Sequence, residues 1–447
     1  MLGTAPVGRL LFKLALPAVV AQLVNVLYNI VDRIYIGNIP GIGALALTGL
    51  GVAFPILLII SAFAAFVGMG AAPLASMRLG AGENDKAEQI LGAGTALLLA
   101  LSVVLTAVFL IFKRPLLYLF GASDNIIGYA DDYITIYLIG TVFVLLALGL
   151  NTFISAQGFA ATAMNSVLVG AVANIVLDPV FIFALDMGVR GAALATILSQ
   201  ALSAGWVVAF LRGKKTRLHI RARYLRLSWK VLRPVAALGI SPFIMQATES
   251  LINIVLNRGL QTYGGYLYVG TLTIMSGLLQ FIVLPVHGIG NGAQPIISYN
   301  FGAGRPDRAR AAARRLLIVD FTFATVCSAL LVFLPGVFAR VFTSDAQLLA
   351  LTVKAMPIYF AGIWIFGLQM ACQVTFLSLG QARISLFLAL LRKVILLVPL
   401  ALILPHFFGV TGVYLAEPIA DITSAVTAFS LFLARRKTIF APSPKRG

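Results

Sequence analysis

Long apolar stretches separated by short polar segments dominate the hydropathy pattern of the chain. Each stretch is about 20 residues long, which a helix needs to cross a bilayer core of roughly 30 Å. Hydrophobicity within each stretch is nearly continuous, which favours helices over barrel strands, because those alternate at period two. The pattern predicts twelve spans, centred on residues 13–36, 46–72, 91–112, 132–153, 162–185, 191–211, 235–259, 267–295, 314–334, 353–375, 384–404 and 410–433.

The composition supports a membrane protein rather than a soluble enzyme. Of 447 residues, 60% are hydrophobic and only 11% are charged. A soluble domain could not cover so large an apolar core with polar surface. The three histidines show no metal-ligand spacing and no paired-aspartate diphosphate motif occurs, so we expect no enzyme. Cys327 and Cys372 fall inside spans and are interpreted as packing residues.

The chain is an internal duplication. Residues 80–87 (GAGENDKA) and 302–309 (GAGRPDRA) are almost the same at an offset of 222, and Gly158 and Gly380 match at that offset. Neither motif has the Lys-Ser/Thr of a nucleotide loop, so we interpret both as tight caps that join a span to a surface helix. Internal repeats in a chain this apolar are typical of transporters.

The duplication and the span count together predict the fold class. Each half carries six spans and ends on the side of the membrane where it began, so the repeats are parallel. We therefore expect an all-α integral membrane protein, with twelve transmembrane helices in two parallel pseudo-symmetric six-helix bundles. The predicted parts are an N-lobe (1–211), a basic cytoplasmic linker (212–233), a C-lobe (234–434) and a basic cytoplasmic tail (435–447).

The basic residues predict the orientation. With both termini in the cytoplasm, most of the 33 Lys and Arg lie on the inner side, in agreement with the positive-inside rule. A basic inner face against anionic lipid also explains the net charge of +18 without nucleic acid. Arg308, Arg310, Arg314 and Arg315 are interpreted as part of that face, with Asp320 tethered to them.

Polar residues at membrane depth are the candidates for chemistry, because a charge there is costly unless it is paired, solvated or used. Asp32, Asp178 and Thr196 fall at a similar level, roughly 7 to 12 Å inside the outer boundary. Asn174 and Asp178 are four residues apart and share one helix face. Pro179 frees the carbonyl of residue 175, which could add another oxygen. These groups predict a site for a hard cation such as Na⁺, or for a shared proton.

Two alternatives stay open for these candidates. Asp32 could instead pair with Arg33, while Asn174 and Asp178 could form an interhelical polar clamp.

Three further acids lie in the second half, and we expect them to belong to a substrate site or a second coupling site: Glu249, Glu417 and Asp421.

The second-half acids have their own structural alternative. Glu417 and Asp421 could pair with Arg392 or Lys393 of span 11, since buried opposite charges usually find each other. At the repeat offset Glu417 is the counterpart of Thr196, so the acids are not duplicated. Each lobe therefore carries a different constellation.

Three motifs together resemble the multidrug and toxic compound extrusion (MATE) family over almost the entire chain. They are residues 28–32 (YNIVD), the two Gly-Ala-Gly motifs, and residues 174–179 (NIVLDP). The resemblance implies an exporter in a prokaryotic cytoplasmic membrane that exchanges lipophilic organic cations for inward Na⁺ or H⁺ by alternating access. It carries over the family's cation site to Asp32, Asn174, Asp178 and Thr196, and the carboxylate that some branches use on span 7 to Glu249.

The resemblance also defines the expected partners and the rival function. Besides organic cations and membrane lipids no partner is expected, and the only cofactor-like ligand is the coupling ion, Na⁺ or H⁺. A monomer suffices, because two lobes in one chain already enclose a cavity. A lipid or lipid-linked precursor flippase of the same superfamily is the alternative, although such flippases often carry fourteen spans and a strongly cationic cavity.

Overall fold

The computed structural model describes residues 1–441, and these contain helices and loops but no strand. The last six residues of the predicted basic tail, 442–447, lie outside the described residues. The helices are α1 Val7–Gly37, α2 Gly43–Gly80, α3 Asn84–Leu119, α4 Ile127–Ile139, α5 Thr141–Ala156, α6 Ala160–Pro179, α7 Gly188–Arg212, α8 Trp229–Ala247, α9 Glu249–Tyr263, α10 Tyr266–Gly302, α11 Pro306–Phe333, α12 Pro335–Phe342, α13 Ala346–Tyr359, α14 Ile363–Ser378, α15 Ala382–Leu390, α16 Val398–Phe408 and α17 Val410–Ile439. Two π-helical turns, Val180–Ala184 and Leu391–Leu397, continue α6 and α15.

The helices confirm the predicted fold class. Within residues 1–441, eleven helical stretches are long and apolar enough to cross a membrane, and α4 with α5 adds a twelfth that is bent by 58°. Gly140 lies at that bend, and a β-carbon there would come within 2.3 Å of the Ile197 side chain on α7. The bend therefore lies where close helix packing requires glycine.

Two compact units divide the chain. The amino-terminal unit is Val20–Gln246, and the carboxy-terminal unit combines Met1–Val19 with the chain from Ala247 onward. Within the first, α2 packs against α3 and α5, and α7 against α5 and α6. Within the second, α14 packs against both α11 and α17. The predicted lobe boundaries stay a prediction.

The duplicated Gly-Ala-Gly motifs have the same backbone geometry. Gly82 and Gly304 have φ of 79° and 68°, a left-handed conformation that favours glycine. The next N–H, of Glu83 or Arg305, donates over 2.9 Å to the carbonyl of the residue five positions earlier in each case. These hydrogen bonds are those of a helix C-cap, so the cap interpretation is confirmed. No separate surface helix follows, however, since α3 and α11 begin at once and continue as spans.

The basic linker is bound to the amino-terminal unit by two buried side chains. The Gln157 Oε1 atom accepts hydrogen bonds from the backbone N–H groups of Arg217 at 2.7 Å and Leu218 at 3.1 Å. The Glu88 carboxylate pairs with Arg221 at 2.5 Å and with the His219 ring at 3.2 Å. This carboxylate also raises the pKa of the Arg221 guanidinium. The contacts with Gln157 and Glu88 hold the linker in an ordered conformation.

Candidate cation site

The predicted first-half cluster assembles in the amino-terminal unit. Asp32 lies near the carboxyl end of α1, while Asn174 and Asp178 lie one turn apart on α6. The exposed fractions of Asp32, Asn174 and Asp178 are 7%, 1% and 0%. All three polar side chains are therefore removed from solvent.

Hydrogen bonding joins only part of this cluster. The Asn174 Nδ2 group donates to the Asp178 Oδ1 atom over 3.1 Å. The carboxyl groups of Asp32 and Asp178 lie close enough to interact electrostatically. One proton or one cation shared between the two carboxylates would replace their electrostatic repulsion with attraction.

Neither of these two acids forms an ion pair in the described part of the chain. Arg33 forms no ion pair with Asp32, and its guanidinium lies over the Phe54 ring, 5.2 Å from the centroid. Among the ion pairs within residues 1–441, none includes Asp32 or Asp178. The predicted alternative of an Asp32–Arg33 pair is therefore not what the structure contains.

Three buried oxygens of the cluster lack partners in the described part of the chain. They are Asp32 Oδ1, Asn174 Oδ1 and Asp178 Oδ2. Buried acceptors normally have a donor or a cation, and uncompensated acids in an apolar environment are costly. Carboxylate and amide oxygens are the ligand type that hard cations prefer. The residues thus fit Na⁺ or a proton, and an interhelical clamp alone leaves these oxygens unexplained.

Thr196 borders the cluster through a small cavity. It lies half-buried on α7, and together with Asn174 and Tyr28 it lines a cavity of about 30 Å³. That volume is enough for on the order of two water-sized particles. The remaining polar lining residues are Asn25, Asn151, Ser166, Ser199, Gln200 and Ser203. A cation or proton at the acids therefore has polar space beside it.

Two tyrosines complete the surroundings and were not predicted as site residues. Tyr133 on α4 is buried, interacts electrostatically with both acids, and places its hydroxyl beside that of Thr196. Tyr28 lies four residues before Asp32, hence on the same face of α1. The spacing of four residues could have predicted Tyr28 as a site residue from the sequence. No sequence pattern predicts Tyr133, because only the tertiary packing of α4 brings it near the acids.

The second-half acids form a separate cluster within the carboxy-terminal unit. The Arg392 Nε atom contacts Asp421 Oδ1 at 2.6 Å, and its Nη2 atom contacts Glu417 Oε1 at 2.9 Å. Lys393 pairs with Glu249. Both cations lie in the π-helical turn Leu391–Leu397. The predicted pairing alternative for Glu417 and Asp421 is the arrangement found.

Asp320 contradicts the predicted tether to the arginines of α11. The residue is fully buried, and neither carboxylate oxygen has a hydrogen-bond partner in residues 1–441. Its backbone lies against α14, where a β-carbon on Gly367 would come within 2.1 Å of the Asp320 carbonyl oxygen. Asp320 thus belongs to the helix packing and not to the basic face.

Comparisons with known proteins match both halves of the chain. The profile of the MatE family matches residues 17–180 and 242–403, once in each half. The multidrug export protein MepA of Staphylococcus haemolyticus is 25% identical over 434 residues, which cover 96% of this chain and 94% of that protein.

Solved structures match over nearly the full length. The MATE multidrug transporter DinF-BH, solved in complex with a ligand, is 36% identical with a TM-score of 0.90, covering 98% of both chains. A MOP superfamily transporter from Pyrococcus furiosus Vc1 also gives a TM-score of 0.90, with 98% of each chain covered. At 23% identity the latter likeness concerns the fold alone.

Proposed function

This chain belongs to the MATE family of multi-pass membrane transporters, and from that premise we propose that it exports lipophilic organic cations in exchange for inward Na⁺ or H⁺. Two relatives support drug-like substrates. MepA is a multidrug export protein, and DinF-BH is a MATE multidrug transporter.

One observation carries the proposal: Asp32 and Asp178 are two neighbouring buried acids, and neither forms an ion pair within residues 1–441. Two carboxylates so close together require at least one positive charge to remain buried. A mobile cation that leaves during the cycle supplies it without a permanent partner. A merely structural pair would be expected beside a fixed Lys or Arg, as in the second cluster.

Competition for this charge gives the coupling mechanism. In the state open to the cytoplasm, the organic cation is drawn to the carboxylates and buries its apolar part against aromatic residues. In the state open outward, an external proton or Na⁺ neutralises Asp32 or Asp178 and lowers the affinity for the organic cation. The two ligands exchange because each weakens the binding of the other.

The carboxy-terminal cluster does not favour the flippase. Within the described residues of that unit, Arg392 and Lys393 are each paired with acids, so neither adds to a strongly cationic cavity for a diphosphate. Glu249 keeps about half of its side chain exposed and could contact a substrate from there. Cytoplasmic termini and a monomeric state remain part of the proposal.

Proteoliposomes test the proposed exchange. The purified protein is reconstituted, and movement of a fluorescent organic cation is followed under a Na⁺ gradient, a pH gradient, or neither. Wild type and Asp307→Asn, which changes an acid that is 92% exposed, should respond to one gradient, whereas Asp32→Asn should respond to none. Wild-type transport indifferent to both gradients, or movement of a neutral or anionic lipid instead, would reject the exchange and favour the flippase.

A further inference from the structure

A groove in the carboxy-terminal unit has a basic end and an apolar body. It runs between α11 and α17, both of which pack on α14, and has a volume of about 850 Å³. Four basic side chains, which we call the basic rim, line one end: Arg310, Arg314, Arg436 and Lys437. The apolar side chains that line its body include Leu317, Phe321, Leu368, Phe429 and Phe432.

The order of residues along the two helices separates charge from apolar surface. On α11 the rim residues come before Phe321, which is eleven positions beyond Arg310, or about 16 Å along the helix. On α17 the order is reversed, and Phe429 precedes Lys437 by eight positions, about 12 Å. Both helices therefore place cations at the same end of the groove and aromatic rings deeper in the span.

The basic rim carries an excess of positive charge. Arg310 has an acidic neighbour, Asp307 at 3.4 Å, and that pair is exposed. In the part of the chain that the structure describes, no carboxylate forms an ion pair with Arg314, Arg436 or Lys437. An anion is thus the complementary ligand at this end.

We propose that this groove binds an anionic phospholipid, with the phosphate at the basic rim and an acyl chain along the aromatic body. Basic pockets between transmembrane helices bind anionic head groups, and guanidinium groups match phosphate geometry. A small soluble anion would leave the apolar body unused. The residues beyond 441 include Lys445 and Arg446, whose charge has the same sign as the rim and disfavours the tail as occupant.

Native mass spectrometry of the purified full chain tests the proposal. Phosphatidylglycerol and phosphatidylcholine with the same acyl chains are added at equal concentration, and the lipid retained is counted. Wild type should retain phosphatidylglycerol about tenfold more strongly. Replacing the rim with glutamine (R310Q, R314Q, R436Q and K437Q together) should remove that preference.

A matched control separates the groove from general surface charge. Four linker cations, Arg212, Lys214, Lys215 and Arg226, are replaced by glutamine in one variant, which should retain the preference. Leu433→Trp fills the groove at an exposed lining position with the charge unchanged, and should lower phosphatidylglycerol retention several-fold even if the rim variant fails to fold. Equal retention of the two lipids, or equal loss in the linker variant, would overturn the proposal. A several-fold gain in phosphatidylglycerol retention on deleting residues 442–447 would also overturn the proposal, because it would show that the tail occupies the groove.

Discussion

At the scale of single residues, the proposed coupling depends on Asp32 and Asp178 lying close together without an ion pair in the described part of the chain. The sequence predicted both residues from their depth, and Asn174 from its spacing on the same helix face. The sequence could not exclude the Arg33 alternative, because the long Arg side chain can either bend back to the preceding acid or extend away from it. The contact of Arg33 with Phe54 is a tertiary feature that no local pattern encodes.

Asp178→Asn should stabilise the protein while it removes coupling. In wild type at high pH without Na⁺, both carboxylates are charged and repel each other, and the amide removes that repulsion. The variant should therefore melt a few degrees higher, a gain of about 1 kcal/mol in the free energy of unfolding, and the gain should grow as the pH rises.

Thermal unfolding at several pH values, with and without Na⁺, measures this effect. Asp131→Asn serves as the control, since Asp131 pairs with Lys113 at 2.9 Å and its loss should not stabilise. An Asp178→Asn variant that melts below wild type at every pH would contradict the proposed repulsion.

At the scale of elements, the two π-helical turns mark where the helices depart from the predicted pattern. Val180–Ala184 directly follows the site residues of α6, and Leu391–Leu397 carries Arg392 and Lys393. Hydropathy predicted the spans but not these turns, because a π-helical turn changes hydrogen bonding and leaves the apolar run intact. Such turns are frequent at functional sites.

Arg392→Met should destabilise the carboxy-terminal unit strongly. The change leaves Glu417 and Asp421 buried without their shared cation, at a cost of about 3 to 5 kcal/mol. The melting temperature should fall, and adding Glu417→Gln and Asp421→Asn to the same chain should restore most of it.

The exposed Arg258 provides the control for Arg392→Met, because Arg258→Met leaves no buried acid and should leave the melting temperature nearly unchanged. If Arg392→Met unfolds at the wild-type temperature, the ion-pair cluster does not hold this unit together.

The duplicated caps predict equal effects at equivalent positions. Gly304→Ala and Gly82→Ala both place a β-carbon on a left-handed residue and should each cost about 1 kcal/mol in the free energy of unfolding. Gly51→Ala, in a helix with nothing within 4 Å of the new β-carbon, should be neutral or stabilising. Chemical denaturation of the three variants checks this. A Gly304→Ala variant as stable as Gly51→Ala would argue against the cap.

At the scale of the whole molecule, the sequence predicted more of the scaffold than of its chemistry. The twelve spans, the duplication and the paired caps follow from apolar length and repeated glycines, and the structure confirms them. The bend at Gly140, the order of the basic linker and the pairing of Arg392 depend on contacts between distant segments. Gln157 illustrates the point, since it closely precedes Gly158 of the repeat, yet its role comes from the linker that it anchors.

The central claim is that one negative charge at Asp32 and Asp178 is shared between the organic cation and the coupling ion. Its most direct test is the equilibrium affinity of the purified protein for a fluorescent lipophilic cation, measured against pH without Na⁺ and against Na⁺ at high pH. Competition predicts that the apparent Kd rises by up to about tenfold for each unit that the pH falls, or for each tenfold increase in Na⁺. Asp32→Asn should bind weakly and without either dependence. A wild-type Kd that is independent of both ions would contradict the account.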